Sequence, residues 1–186
     1  LPEIKNALSK YDDIVYAFQK KPEGTADALK AALVALKDFK GTVLVLNGDT
    51  PLVTSEILKE FLNLHSRSKE DLSLISFTAN GADSYGSIVR EGNAVKAIIE
   101  DKDADENLKK INEVNSGIYA MDSNILNMLK EIKRNKKNNE YYLTDLVGIA
   151  VKKGLKVGAH NMDSKTEMAG INTREELYHA GIYLRE

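Results

Sequence analysis

The stretch Gly41-Thr42-Val43-Leu44-Val45-Leu46-Asn47-Gly48-Asp49 constrains the fold more than any other part of the chain. Four consecutive apolar residues, Val43 to Leu46, with β-branched valines at alternate positions, predict a strand buried on both faces. The run stops at Asn47-Gly48, where the chain turns, and delivers one carboxylate, Asp49, just past the strand's carboxyl end. In open α/β sheets that edge is where ligands bind. An acid there, beside a glycine that admits close approach to the backbone, suits a divalent metal carrying phosphates. The same spacing equally suits a turn aspartate satisfying local N–H groups.

The flanking sequence supplies the layers such a strand needs. Pro2 with Ile4, Ala7 and Leu8 predicts a short opening helix, and Ile14 to Phe18 a strand. Thr25 is placed to cap a helix whose Ala28, Leu29, Ala32, Leu33, Leu36 and Phe39 recur at helical spacing. Thr54 or Ser55 caps the next, which buries Ile57, Leu58, Phe61 and Leu62, and Leu72 to Phe77 follows as a strand. Strands alternating with amphipathic helices predict a mostly parallel sheet with helices on both faces.

The pattern then changes. Tyr85 to Arg90 and Ala94 to Ile99 flank Glu91-Gly92-Asn93 as a hairpin, and the charged segment from Glu100 to Lys110 reads as an exposed loop. Val114 to Met121 is a strand, followed by a helix capped by Asp122 or Ser123 and running towards Lys133. Arg134 to Glu140 is a polar connection. Thr144 caps a helix ending at Gly154, Leu155 to His160 is the last strand, and Thr173 with Glu176 forms a capping box for a final helix.

At 186 residues, with 42% hydrophobic and 29% charged, the chain suits one globular domain with a sizeable core. A net charge of -2 without a basic, aromatic-interleaved stripe argues against nucleic acid as a partner. No apolar run approaches the roughly 18 residues that span a membrane, so no membrane partner is expected. The absence of cysteine removes disulfides, thiol nucleophiles and cysteine-based zinc sites, and fits a cytoplasmic location. His65, His160 and His179 lack metal-ligand spacing and read as structural or exposed. No Gly-x-Ser-x-Gly elbow and no Walker-type loop is present.

Three further places carry chemistry. Gln19 and the turn Glu23-Gly24-Thr25 offer an amide, a helix N-terminus and a hydroxyl, which could read a nucleobase edge or bind an anion, or be an ordinary cap and turn. Asn115-Ser116-Gly117 puts an amide and a glycine inside an apolar strand, where the amide needs partners and the glycine admits a ligand or backbone. Met168 to Thr173 delivers Asn172 just before a helix, and an Asn carbonyl can join an Asp carboxylate on Mg²⁺.

In this order, Glu23-Gly24-Thr25, Asn47-Gly48-Asp49-Thr50-Pro51-Leu52, Tyr85-Gly86, Glu100-Asp101-Lys102-Asp103-Ala104, Glu113-Val114-Asn115-Ser116-Gly117, Glu140-Tyr141-Tyr142-Leu143-Thr144-Asp145 and Gly170-Ile171-Asn172 resemble the sugar-nucleotide pyrophosphorylases. They look most like the uridyltransferase domain of the bacterial bifunctional N-acetylglucosamine-1-phosphate uridyltransferase/glucosamine-1-phosphate acetyltransferases. The resemblance implies a three-layer α/β/α sandwich of the nucleotide-diphospho-sugar transferase type. It implies UTP and N-acetylglucosamine 1-phosphate as substrates, UDP-N-acetylglucosamine and pyrophosphate as products, Mg²⁺ as cofactor, and a role in supplying cell-wall precursors. By motif, Asp49 and Asn172 would hold the metal, and Gln19, Gly24, Thr25 and Gly48 would meet the nucleotide. Gly86, Glu100, Asn115 and Thr144 would surround the acetylated sugar. The roles of Gly86, Glu100 and Thr144 come from the resemblance alone.

Two departures shape what is expected of this chain. The family's glycine-rich phosphate loop, Leu-Ala-Ala-Gly-x-Gly-Thr-Arg-Met with a following Pro-Lys, is not in the sequence. The expected domain, 1–179, is therefore partial: it lacks its first strand and contains no catalytic phosphate-loop residue, and its activity is expected to be weak or nil. Residues 180–186 resemble the start of a connection to a C-terminal domain, through which the full-length family members form homotrimers. Ser87 stands where an Arg is common. Two other readings are a nucleotidyltransferase for another sugar 1-phosphate or nucleotide, and a non-catalytic sugar-nucleotide-binding module.

Overall fold

The computed structural model describes residues 2–79, 85–162 and 165–185. Six strands form one sheet: β1 (Thr42–Val45), β2 (Leu72–Thr78), β3 (Ser87–Glu91), β4 (Ala94–Ile99), β5 (Glu113–Asp122) and β6 (Val157–Asn161). Their order is β4-β3-β5-β2-β6, with β1 also on β5. Helices α1 (Pro2–Ala7), α2 (Thr25–Ala32), α3 (Ser55–Ser68), α4 (Asp145–Lys152), α5 (Lys165–Met168) and α6 (Arg174–Tyr183) accompany it, with 3-10 turns at Asp101–Asp103, Leu108–Lys110 and Ser123–Glu131.

Two cores lie on the two faces of the sheet, which makes the expected three layers. One gathers Leu72, Leu74, Tyr119 and Met121 against Ala26, Leu129 and Leu146. The other packs Phe61 and Met168 on Ile75, Phe77, Ile118 and Ala120. The residues of α3 that recur at helical spacing are those that turn inward, and Thr54 caps this helix by accepting from Ile57 N. The hairpin forms at Gly92, whose φ of 56° suits glycine. At α6 the full capping box is present, and the helix runs without a break through the expected division at residue 180. Leu1 and Glu186, the outer ends of the two expected spans, lie outside the described residues.

The sheet is mixed, but parallel pairing does not dominate it. Among the described residues only β2 and β6 run parallel; β1–β5, β2–β5, β3–β4 and β3–β5 are antiparallel. The β5 strand enters between its neighbours in the opposite sense, and strand direction is set by crossovers that helix–strand alternation does not specify.

Four local expectations are corrected. β1 is shorter than expected and only partly buried: Val43 and Val45 pack on one core and Leu44 on the other, but the strand ends at Val45, and Leu46 beyond it is 47% exposed. Among the described residues Ile14 to Phe18 makes no ladder with another strand, and Val15 and Phe18 stand 73% and 65% exposed. Helix α2 stops at Ala32, and the chain continues to Phe39 in tight i→i−3 turns that still lay Leu33 and Leu36 on the core. Ser123–Glu131 is 3-10 rather than α-helical, although Asp122 does cap it by accepting from Asn124 N. His65 is buried, His160 half-buried and His179 exposed, in keeping with structural or surface roles.

Candidate active site

One edge of β5 is shared. β1 covers its distal half, ending at Val45 opposite Tyr119, and β3 meets its proximal end, with Ser87 opposite Val114. Between these two partners, among the described residues, 115–118 of β5 have no strand beside them on this edge, and a cleft of about 230 Å³ opens there. On its other edge β5 bulges: the register passes from Leu74–Tyr119 to Ser76–Asn115, so Ile75 faces three residues of β5. Ser116 Oγ seals the bulge by donating to Ile75 O at 2.8 Å and accepting from Ile118 N at 3.2 Å. Gly117 takes φ 82°, and a Cβ there would collide with the Asn47 side chain. Bulges beside functional sites re-aim side chains, and this one brings Asn115 and Tyr119 into the same cleft.

At one end of the cleft, Asp49 and Asn172 flank Gly170. Asp49 Oδ2 and Asn172 Nδ2 lie 3.7 and 3.6 Å from the point a Cβ on Gly170 would occupy. The two loops are tied by Ile171 N donating to Asp49 O at 2.8 Å. Glu176 Oε2 holds the backbone N–H groups of Asn172 and Thr173, each at 2.7 Å. Thus a carboxylate and an amide share a small cradle that only glycine leaves open. One carboxylate with one amide oxygen would fit Mg²⁺, which keeps several waters and takes substrate phosphate oxygens; Asn172 reaches the cradle by its nitrogen, so its carboxamide would turn over to offer the oxygen. Among the described residues no cluster of three or more His, Asp or Glu offers a closed metal site.

At the other end, Thr144 Oγ1 donates to Glu100 Oε1 at 2.7 Å. Glu100 Oε2 lies 3.6 Å from the Cβ position of Gly86, whose carbonyl accepts from Asn115 N at 2.9 Å. Burial pushes the Glu100 carboxyl above its ordinary range, the Thr144 bond opposes this, and Asp145 and Asp103 add to the rise. Asn115 Nδ2 donates to Tyr119 Oη at 2.7 Å, and Asn115 Oδ1 accepts from Gly117 N at 3.1 Å. Tyr85 closes the wall between the two ends, edge-on to Phe77 with centroids 5.1 Å apart. Burial raises its hydroxyl's pKa against a bond from the Gly170 backbone.

Seven of the ten residues singled out from the sequence line this cleft: Thr25, Asp49, Gly86, Glu100, Asn115, Thr144 and Asn172. Gln19, Gly24 and Gly48 do not. Gln19 Nε2 donates to Asp27 Oδ2 at 2.8 Å and Gly24 O at 3.3 Å, beside a separate hollow of about 440 Å³. Gly24, at φ 105°, presses so closely on Tyr141 that a Cβ would sit 2.5 Å from its carbonyl oxygen. Gly48 faces open space. Thr25 is not the cap expected of it; Gly24 occupies the N-cap position, and Thr25 Oγ1 accepts from Leu143 N at 3.0 Å, strapping the two loops together.

Tyr85 and Tyr119 line the cleft without having been singled out. Tyr119 carried one usable signal, since alternation along β5 sets it on the strand face of Asn115 and Gly117. No Lys or Arg is among the described residues that line the cleft.

Comparison with known proteins follows the same lines. Residues 2–166 match the nucleotidyl transferase family. The chain is 43% identical over its whole length to the bifunctional protein GlmU of Thermodesulfovibrio yellowstonii. It is 42% identical over 98% of its length to that of Acetivibrio thermocellus, and 37% identical over its whole length to that of Corynebacterium diphtheriae. It spans about two fifths of these relatives: 41%, 40% and 39% of their lengths. A crystal structure of UDP-glucose pyrophosphorylase complexed with UDP-glucose shares the fold, with a TM-score of 0.69 over all of this chain and 73% of that one, at 18% identity.

Proposed function

The chain belongs to the nucleotidyl transferase family, and on that premise we propose that its cleft is the sugar and metal part of a uridyltransferase site. The reaction joins UTP and N-acetylglucosamine 1-phosphate into UDP-N-acetylglucosamine and pyrophosphate, as a cytoplasmic step towards cell-wall and lipopolysaccharide precursors. The observation that carries this reading is the meeting of Asp49 and Asn172 over Gly170 in the same cleft that holds Glu100, Thr144 and Asn115.

In this reading a sugar phosphate oxygen attacks the α-phosphorus of UTP in line, and the bond to pyrophosphate breaks. Such chemistry needs positioning and charge stabilisation more than a covalent nucleophile. Asp49 and Asn172 would hold Mg²⁺, which when bound neutralises charge on phosphate oxygens. Glu100 Oε2 and the Thr144 hydroxyl oxygen accept from sugar hydroxyls, while Asn115 presents its remaining N–H. Gly86 lets the backbone lie against the core, where a Cβ would meet Ile98 at 2.7 Å. The cleft, at about 230 Å³, is below the ~300–1,000 Å³ of pockets for drug-sized ligands, so it suits one moiety of a sugar nucleotide. We assign the nucleotide to Thr25 and Gly48 at the rim, with Gln19 and Gly24 on the turn beyond.

A second reading, a sugar-nucleotide-binding module without turnover, is favoured by the absence of Lys and Arg among the described lining residues. Pyrophosphate departure calls for donors and cations that this cleft does not supply, so turnover is expected only where a phosphate loop is also present. In the full-length protein we place this domain in a homotrimer.

Calorimetric titration of UDP-N-acetylglucosamine into this chain and into Asp49→Ala, with and without Mg²⁺, tests the site. Affinity should rise with Mg²⁺ in the parent and not in the variant. Equal affinity in all four titrations would remove Asp49 from the metal. Pyrophosphate exchange by the full-length protein separates the enzyme from the binding module.

A further inference from the structure

We propose that Tyr119 is a specificity-determining residue of this cleft, donating its phenolic proton to the carbonyl oxygen of a 2-acetamido sugar. The inference rests on the sugar-phosphate reading above. It starts from a hydrogen bond that leaves one proton over.

Tyr119 is 3% exposed and lines the cleft just beyond the β5 bulge. Its hydroxyl oxygen accepts from Asn115 Nδ2 at 2.7 Å. A phenol that accepts one bond still has an O–H to give. Among the described residues nothing takes that proton, and Asn115 is the hydroxyl's hydrogen-bond partner. Glu100 accepts from Thr144 through Oε1, and among the described residues it makes no hydrogen bond with Tyr119. Burial raises the Tyr119 pKa, and the Glu100 charge raises it further, so the group stays a donor at every physiological pH.

The Asn115 carboxamide cannot turn over to take the proton itself. Its Oδ1 is held by the Gly117 N–H at 3.1 Å and its Nδ2 by Tyr119, and a flip would set N–H against N–H at Gly117. This leaves two donors side by side, the Tyr119 O–H and the second N–H of Asn115. A carbonyl oxygen has two lone pairs and no proton of its own, so it satisfies both without needing an acceptor in return. A 2-hydroxyl in the same place brings a proton of its own, which must find an acceptor such as Glu100 Oε2 before its oxygen can take both donors. Leaving a buried donor unmet is costly, and sites built on such donors discriminate strongly against ligands that cannot meet them.

The test is calorimetric binding of N-acetylglucosamine 1-phosphate and of glucose 1-phosphate to this chain, with Mg²⁺, for the parent and for Tyr119→Phe. The substitution keeps the ring and its packing, and thermal unfolding checks that the fold is intact. The parent should prefer the acetylated sugar. In Tyr119→Phe its Kd should rise about tenfold while that of glucose 1-phosphate stays within about twofold, so that the preference collapses. An equal loss for both sugars would reduce Tyr119 to a packing role and overturn the inference, as would no loss for either. A parent that binds neither sugar phosphate, or binds both equally, overturns the sugar reading itself and the inference with it.

Discussion

Thr144 Oγ1 donates a 2.7 Å hydrogen bond to Glu100 Oε1, joining the start of α4 to the loop after β4 across 44 residues of sequence. The side chain that should cap α4 makes no cap bond there. It is diverted to hold a carboxylate that burial has pushed towards protonation. Local helix stability is given up for the geometry of the cleft, and the exchange leaves a signature in the pH dependence of folding.

Glu100 has its folded pKa raised above the ordinary 4.5. Its contribution to stability is fully present below that value and is lost as pH rises through the folded pKa, because the folded state binds the proton more tightly. Urea unfolding of Glu100→Gln across pH 4 to 8 should show a shallower fall in stability with rising pH than the parent. Thr144→Val removes the bond that favours the charged carboxylate, so the same fall should extend to higher pH. Parallel curves for parent and Glu100→Gln would contradict this.

Gly117 and Gly170 separate fold from site. At Gly117 the backbone is left-handed at φ 82° and a Cβ has no room beside Asn47. Gly117→Ala should cost about 1–3 kcal/mol of unfolding free energy. At Gly170 a Cβ meets only ordinary contacts at 3.6–3.8 Å, so Gly170→Ala should change stability by less than about 1 kcal/mol. It should nonetheless abolish the gain in UDP-N-acetylglucosamine affinity on adding Mg²⁺, since the methyl sits between Asp49 and Asn172.

Glu70 ties α3, β2 and β6 together. Its Oε2 accepts from Ser73 Oγ at 2.5 Å and from His160 Nε2 at 2.8 Å, and Ser73 Oγ in turn is 2.7 Å from His65 Nδ1. Burial pushes the Glu70 carboxyl up, but the His160 and Ser73 bonds outweigh it and leave it below 4.5. The stability it confers is present above that value and is lost as pH falls through its depressed folded pKa. His160→Ala should cost about 1–3 kcal/mol at pH 7. The cost should shrink as pH falls through the depressed folded pKa of Glu70, and a urea-unfolding series taken from pH 7 downward measures both.

The capping box of α6 sits directly after Asn172. Thr173 Oγ1 accepts from Glu176 N at 3.1 Å, and Thr173→Ala should cost about 1 kcal/mol. Because Glu176 also holds the Asn172 backbone, a frayed box should loosen that amide. Calorimetry should then show a smaller Mg²⁺-dependent gain in ligand affinity, with metal-free affinity unchanged.

Much of this was legible in advance where the signal is short-ranged. Thr54 before an apolar helical face, Gly92 between two strands and Thr173 with Glu176 each specify their geometry within four residues, and each is present. Asn115 stood out because an amide in an apolar strand needs partners. It has them in Tyr119 and Gly117. Ile14 to Phe18 misled for the complementary reason: its composition suits a strand, but a strand exists only where another edge accepts its ladder.

The sequence by itself determined most of the strands, the caps at Thr54 and Thr173, the hairpin turn at Gly92, and which polar residues stand in apolar surroundings. These follow from side-chain periodicity and from hydrogen bonds made within one turn or hairpin. Only the tertiary structure decided that β5 runs antiparallel to three neighbours, that its free stretch opens the cleft, that Thr144 turns from its helix to Glu100, and that Tyr119 keeps a proton to give. Each of these depends on a group brought from a distant part of the chain, and no local pattern specifies which distant group will arrive.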